Sequence, residues 1–444
     1  MPTRWLPAAA AVAVAAWGAN QFTALATVYR ARTDWSPLSL AAMFSVYLVG
    51  LVPGLLLGRA AADRYGRRRV VRGALVLSAA ASAVLAVADE PAVFAARSAT
   101  GFAAGLVFLA GAAWLRELSG PSVPPAVTAR RAVYATGAGF SAGALASGVL
   151  AEWLPDPMAL PALAHALGCL LVLRATRRLP DTAPDLGVSP SPSPSPHPIP
   201  RAGWGDGHRT AVRHPRFRYV VLPASPAVLG SATVAYVVLP PLVADRVPGH
   251  APLFGGLVAA LTLAAGVVAQ PFAARLDDHG SARATLTAMA TVIAGLLLGA
   301  LAAERDSVGL VLAAAVVLGT GYGLTLGAGL HEVERLTRAP SGPVGRVGQV
   351  GPVGPTAASL YQSTTSSGFL TPLLFAGTAG HVSCPALLTG MAAVGVLCLA
   401  VTAAHSRRHL PEPALAAQLT RRTREDSLVE SATIPPRSRR PWAE

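Results

Sequence analysis

Long intervals without Asp, Glu, Lys or Arg dominate the chain. They cover residues 5–29, 35–58, 73–88, 98–115, 132–151, 157–173, 219–244, 247–274, 284–303, 307–331 and 347–406. An uncharged apolar stretch of about 18 residues or more reads as a membrane-spanning helix. The last interval holds 60 residues, enough for two helices with a turn near "GTAGHVSCPA" (377–386). Twelve spans are therefore predicted. Intervals 73–88 and 157–173 are short, and the arginines beside them extend each by a turn through snorkelling. In lipid each segment must satisfy its own backbone hydrogen bonds, so helices are expected, and the alternation of a membrane β-barrel is absent. The predicted fold class is an all-α membrane protein of twelve transmembrane helices in two six-helix bundles.

Composition agrees: 52% of residues are hydrophobic and only 13% charged, a balance foreign to soluble domains. The net charge of +14 raises the question of nucleic acid. Placement answers it. Arginines collect at 59–72, 116–131, 174–218, 275–283, 335–346 and 407–440. The loops between carry Asp34, Asp89 and Glu90, Glu152 and Asp156, Asp245 and Arg246, Glu304 and Asp306. Strict alternation is what the positive-inside rule asks of a multi-span protein. A multi-pass protein of the cytoplasmic membrane is expected, with both termini cytoplasmic and no nucleic-acid partner. The first apolar run imitates a signal peptide, but 25 residues without charge are enough to cross, so a retained first helix is expected. Cys169, Cys384 and Cys398 share no ligand spacing and read as packing residues, so neither metal nor cofactor is expected. No Gly-rich phosphate loop with a lysine occurs, which argues against ATP-driven transport.

Six spans precede residue 174 and six follow residue 218, separated by "SPSPSPSPHPIP", which reads as an extended, solvated linker. The expected organisation is an N-terminal bundle (1–178), a cytoplasmic Ser/Pro/Arg-rich linker (179–216), a C-terminal bundle (217–405) and a disordered cytoplasmic tail (406–444). An internal echo supports two halves. "ADRYGRRR" (62–69) follows span 2 and "LDDHGSAR" (276–283) follows span 8, with Asp63 and Gly66 matched by Asp277 and Gly280.

These residues resemble the major facilitator superfamily. The loop after span 2 is similar to the family motif Gly-x-x-x-Asp-Arg-x-Gly-Arg-Arg through Asp63, Arg64, Gly66, Arg67 and Arg68. Gly58 lies five residues before Asp63, and Arg59 takes the usual glycine slot. Span 4 resembles the family's arginine–glycine motif through Arg97 and Gly101. Span 5 resembles its antiporter glycine motif through Gly139, Gly143 and Gly148, with Ala144 and Ser147 replacing a proline and a glycine.

The resemblance implies a monomeric secondary-active transporter working by alternating access. Asp63 would then face the N-terminus of helix 11 when the cytoplasmic side is closed, acting as a latch. Gly58, Arg64, Gly66, Arg67, Arg68, Asp277 and Gly280 would serve gating, and the arginines would pair with acids such as Glu117. Candidates for coupling are Arg97, Gly101, Glu117, Glu152 and His165; no Asp or Glu lies mid-span, so the coupling ion stays open. The implied cavity lies between helices 1, 4, 7 and 10, with Asn20, Gln21, Thr100, Thr233, Tyr236, Tyr322 and Gln362 as candidate contacts, joined by Thr23, Thr27, Ser231, Thr320, Thr325, Gln270 and Tyr361. These neutral groups on apolar helices suit a moderately hydrophobic, uncharged or anionic solute. Export of a small organic molecule by proton antiport is the leading expectation. Import of a metabolite such as a sugar or organic acid is the alternative, and a non-transporting receptor a third.

Overall fold

The structure is a computed structural model and describes residues 4–87, 89–181, 212–278, 280–338 and 353–408. Linker residues 182–211 and tail residues 409–444, with the extended and disordered states expected of them, lie outside the described residues.

The first bundle comprises α1 (Leu6–Arg32), α2 (Pro37–Tyr65), α3 (Arg67–Val87), α4 (Glu90–Leu118), α5 (Pro125–Trp153) and α6 (Ala159–Ala175). The second comprises α7 (Phe217–Arg246), α8 (Ala251–Leu276), α9 (Arg283–Arg305), α10 (Val308–Arg338), α11 and α12 (Cys384–His405). Eleven of these are long and apolar enough to span a membrane as single helices. α11 is the twelfth in two pieces, Val353–Ser366 and Thr371–Thr378, joined by a 3-10 turn at Ser367–Leu370. The break has a local cause. Pro372 offers no N–H to the carbonyl of Gly368 four residues earlier, so the α-ladder cannot run through. α7 is irregular for the same reason: Pro223, Pro226, Pro240 and Pro241 accompany π-helical turns at Phe217–Val221 and Val234–Val238 and a 3-10 end at Pro240–Arg246.

Two helix starts on the arginine-poor face are capped by side chains. Ser36 accepts from the Ser39 N–H at 3.0 Å, and Asp89 from the Ala92 N–H at 3.2 Å. The outward faces expose Val49, Leu56, Leu57, Val394 and Leu397 to the surroundings, as helices facing lipid require.

Within each half, backbones touch through small residues. Gly50, Gly54 and Gly58 lie one turn apart on α2 and meet α4 at Ser98, Phe102 and Gly105. A methyl group built on Gly54 would lie 3.1 Å from the Gly105 Cα, and one on Gly58 would sit 3.4 Å from the Gly105 oxygen. The displaced Gly58 thus has a physical account: it extends the Gly50–Gly54 register of α2 by one turn. Gly101 returns the contact from α4, where a methyl would strike the Tyr47 carbonyl. The halves meet mainly along α5 and α8, where Gly148 approaches Gly256 (3.1 Å from a built methyl to Cα), and at α2 against α11.

Candidate functional site

A cavity of about 310 Å3 opens between the ends of α1, α2, α7, α8, α11 and α12 at the arginine-poor face. Its walls are apolar, with Phe44, Val237, Phe375 and Leu387 prominent, and its polar groups include Thr23, Thr27 and Tyr236. Arg30 lies at its mouth, and among the described residues no Asp or Glu lines it.

An aromatic layer forms the floor. The Phe44 ring lies 5.6 Å from that of Phe369 and 6.3 Å from that of Tyr236, and Tyr47 lies 5.6 Å from Phe369. Two hydrogen bonds stitch this layer to the break in α11. Ser45 Oγ donates to the Phe369 carbonyl at 2.8 Å, across the halves. Thr233 Oγ1 donates to the Gly368 carbonyl at 3.0 Å, the oxygen for which Pro372 has no donor.

Arg97 sits behind this floor with none of its surface exposed. Its guanidinium donates to the carbonyls of Met43 (3.3 Å), Ala19 (3.3 Å) and Phe44 (3.5 Å). It also lies over the rings of Phe22 (4.8 Å) and Tyr47 (5.0 Å). The side chain therefore points inward and not toward Asp89 or Glu152 at the helix ends. Beside it runs a buried chain of polar groups. Gln21 Nε2 donates to Ser82 Oγ at 3.1 Å, and Ser82 Oγ lies 2.7 Å from His165 Nδ1. His165 Nε2 lies 3.0 Å from the Val14 carbonyl, which only an Nε2–H can satisfy, so Nδ1 accepts from Ser82. Gly18 leaves the space for this imidazole: a methyl there would lie 2.8 Å from the ring.

Of the seven cavity contacts expected from sequence, Tyr236 lines the cavity. Asn20, Gln21, Thr100 and Thr233 are buried in helix packing, Tyr322 packs on Gly266, and Gln362 is exposed. The physical reason is that the cavity lies toward the arginine-poor helix ends, away from these positions. The glycines of span 5 divide their work. Gly139 meets the Ala13 backbone and Gly143 meets Trp17, both on α1, while Gly148 meets α8.

On the arginine-rich face, Asp63 is half exposed and lies 3.9 Å from Arg59 and 3.8 Å from Arg67. Arg67 pairs with Glu117 at 2.7 Å, tying the start of α3 to the end of α4. Gly66 ends α2 at φ 87°, a left-handed conformation that glycine adopts without strain. Arg64 lies over the Tyr65 ring, and Arg68 donates to the Arg177 carbonyl at 2.6 Å.

The second half carries its own network. Asp277 pairs with Arg335 at 2.8 Å, Arg335 with Glu332 at 3.1 Å, and Glu332 with Arg216 through two bonds of 2.6 and 2.8 Å. Gly280 is part of a turn closed by Asp278. The Gly280 N–H and the Ser281 hydroxyl hold the Asp278 carboxyl below the usual carboxylate range. Arg216, wholly buried, was hidden in sequence, because it ends an arginine-rich loop and reads as linker.

At the opposite face His250 Nδ1, just before α8, lies 2.6 Å from Glu152 Oε1 at the end of α5. Among the described residues no group of three His, Cys, Asp or Glu side chains is placed to hold a metal ion.

Two helical bundles around an aromatic partition, open to one face, define a polytopic membrane transport protein. The chain belongs to the Major Facilitator Superfamily, whose sequence profile matches residues 8–347. It is not an enzyme. It is 39% identical over 80 residues to the 3-(3-hydroxy-phenyl)propionate transporter of Escherichia coli (strain K12), which is 18% of this chain. That match spans about a fifth (20%) of the relative. Among solved structures, the nucleoside transporter NupG covers 91% of this chain and 99% of its own, at TM-score 0.69 and 13% identity. A POT family transporter in complex with 5-aminolevulinic acid covers 92% and 97%, at TM-score 0.70 and 12% identity. At such identities the likeness concerns the fold.

Proposed function

We propose that this protein exports a small organic molecule across the cytoplasmic membrane by alternating access, with proton antiport as the driving reaction. The observation that carries the reading is the cavity sealed at its base by the Phe44–Phe369–Tyr47 layer, which the two halves build jointly. A binding space closed by side chains from both halves changes its accessible side when the halves rotate. The arginine-rich face is the cytoplasmic one in this reading, so both termini are cytoplasmic and the cavity is outward-facing. Asp63 latches that face shut against the N-terminus of α11, and the Gly139–Gly143–Gly148 stripe supplies the close packing on which α5 slides.

A second reading is import of a small metabolite. Its support is the local match to an aromatic-acid transporter. Uptake of labelled amphipathic organic molecules, aromatic acids included, separates the two. Accumulation in inside-out vesicles driven by an acidic lumen supports export. Accumulation in right-side-out vesicles driven by external acid supports import. Uptake that ignores the gradient in both removes proton coupling.

A further inference from the structure

We infer that the cargo is an organic monoanion, a single carboxylate on an apolar body, and that Arg97 receives the carboxylate once the aromatic floor opens. This deepens the transport reading and rests on it.

Among the described residues two arginines are wholly buried, and they differ in one respect. Arg216 has the carboxylate of Glu332 at 2.6 and 2.8 Å. Arg97 has none. Its bonds to three carbonyls are long, at 3.3, 3.3 and 3.5 Å, where a well-made N–H to oxygen bond measures about 2.9 Å. Among the described residues no carboxylate pairs with it, and what covers the guanidinium is the rings of Phe22 and Tyr47. An arginine keeps its charge in such a place, and a buried charge is normally paired. Among the described residues no carboxylate answers Arg97, and the partner that fits is an anion supplied from outside.

The surroundings fit such a guest. The hydroxyl of Tyr47, whose ring lies under the guanidinium, and that of Thr23, a residue of the cavity wall, are buried with no hydrogen-bond partner among the described residues. A carboxylate brings about four acceptor sites, enough for both hydroxyls and the guanidinium. The partition between cavity and Arg97 is one residue thick. Phe44 lines the cavity with its ring and holds Arg97 with its carbonyl. Tyr236 lines the cavity and lies within electrostatic reach of Arg97. Arg30 at the mouth and the lack of any lining acid favour an anion on the way in. The apolar walls take the rest of the molecule, and one guanidinium balances one negative charge.

Binding to the purified full-length protein in detergent tests this, by calorimetry with 3-phenylpropionate and its neutral isostere 3-phenylpropionamide. The wild type should bind the acid at least tenfold tighter. Arg97→Gln should bring the acid-to-amide ratio to near one, and Arg97→Lys should keep part of the preference. Equal affinity of the wild type for acid and amide overturns the inference, as does a loss in Arg97→Gln that falls on both ligands alike, the mark of a merely structural arginine. Should Arg97→Gln not fold, the wild-type ratio and the lysine variant decide. Failure to bind either compound also overturns it. The transport reading is judged separately by a Val237→Cys reporter, whose reactivity to impermeant maleimide must change between two states for alternating access to hold.

Discussion

Glu152 and His250 join the two halves of the molecule: one carboxylate oxygen lies 2.6 Å from the imidazole Nδ1, and the other accepts from the Leu253 N–H at 3.4 Å. The Glu152 side chain is 5% exposed and sits at the N-terminus of α8, where the helix dipole favours negative charge. Replacing it by glutamine keeps the shape and removes the charge. About 1 kcal/mol of the stability of this outward-facing arrangement is expected to go, roughly a fivefold change in population. The reactivity of a Thr27→Cys reporter toward an impermeant maleimide should fall by that order in Glu152→Gln. An unchanged rate would show that this pair does not bear on opening.

The α2–α4 contact predicts a contrast between glycines. A methyl on Gly50 meets the Ser98 carbonyl and the Phe102 N–H head-on, and both are backbone that cannot yield. Gly50→Ala should lower stability by about 1–3 kcal/mol, the usual cost of overpacking. Gly73 has nothing within 4 Å of a built methyl, so Gly73→Ala should be neutral or slightly stabilising. Thermal unfolding of the two variants in the same detergent checks the difference.

Arg216 and Arg246 offer a second contrast. Removing the buried Arg216 leaves Glu332 with Arg335 alone, and breaking such a pair costs about 3–5 kcal/mol. The Arg246–Asp306 pair is just as short, at 2.6 Å, but both partners are well exposed, so Arg246→Ala should cost about 1 kcal/mol or less. Expression level and melting temperature report both. Equal losses would mean that burial is not what separates them.

The arginine-rich face predicts a functional change without a stability change. Asp63 is half exposed and its two arginines lie almost 4 Å away, so Asp63→Asn should leave melting within about 0.5 kcal/mol. As a latch it should nevertheless shift the protein toward the inward-facing state. Cysteine reactivity at the outer cavity should then fall severalfold. Wild-type reactivity in the variant would remove Asp63 from gating and leave Arg67–Glu117 as the tie at that face.

The twelve spans could be read from the chain because a charge in lipid is costly enough to keep charged residues at helix ends. Charge-free intervals therefore coincide with helices whatever the local propensity. The broken α11 could be suspected from Pro372 but not located, because a proline is tolerated in a span once another donor serves the freed carbonyl. Thr233 does this from 135 positions away. Arg97 stood out as an intramembrane cation. Whether it reached for Asp89 or turned inward depended on the rings of Phe22 and Tyr47, which only folding brings to it. Of the expected cavity contacts Thr23, Thr27 and Tyr236 line the cavity, which lies nearer the arginine-poor helix ends than the others. Polar residues on helices 4, 7 and 10 bond mostly within their own helices, as Thr100 does to the Ala96 carbonyl, and periodicity does not distinguish these from residues that face a solute.

The proline break in α11 has one more effect. The Phe369 oxygen faces Ser45 of the other half, 2.8 Å away. Any rotation that carries Ser45 off uncovers a main-chain acceptor in a medium that offers no replacement donor except water or solute. The opening of the path is thus coupled to its wetting: the first hydrated atom is a backbone oxygen that the Ser45 hydroxyl had kept dry.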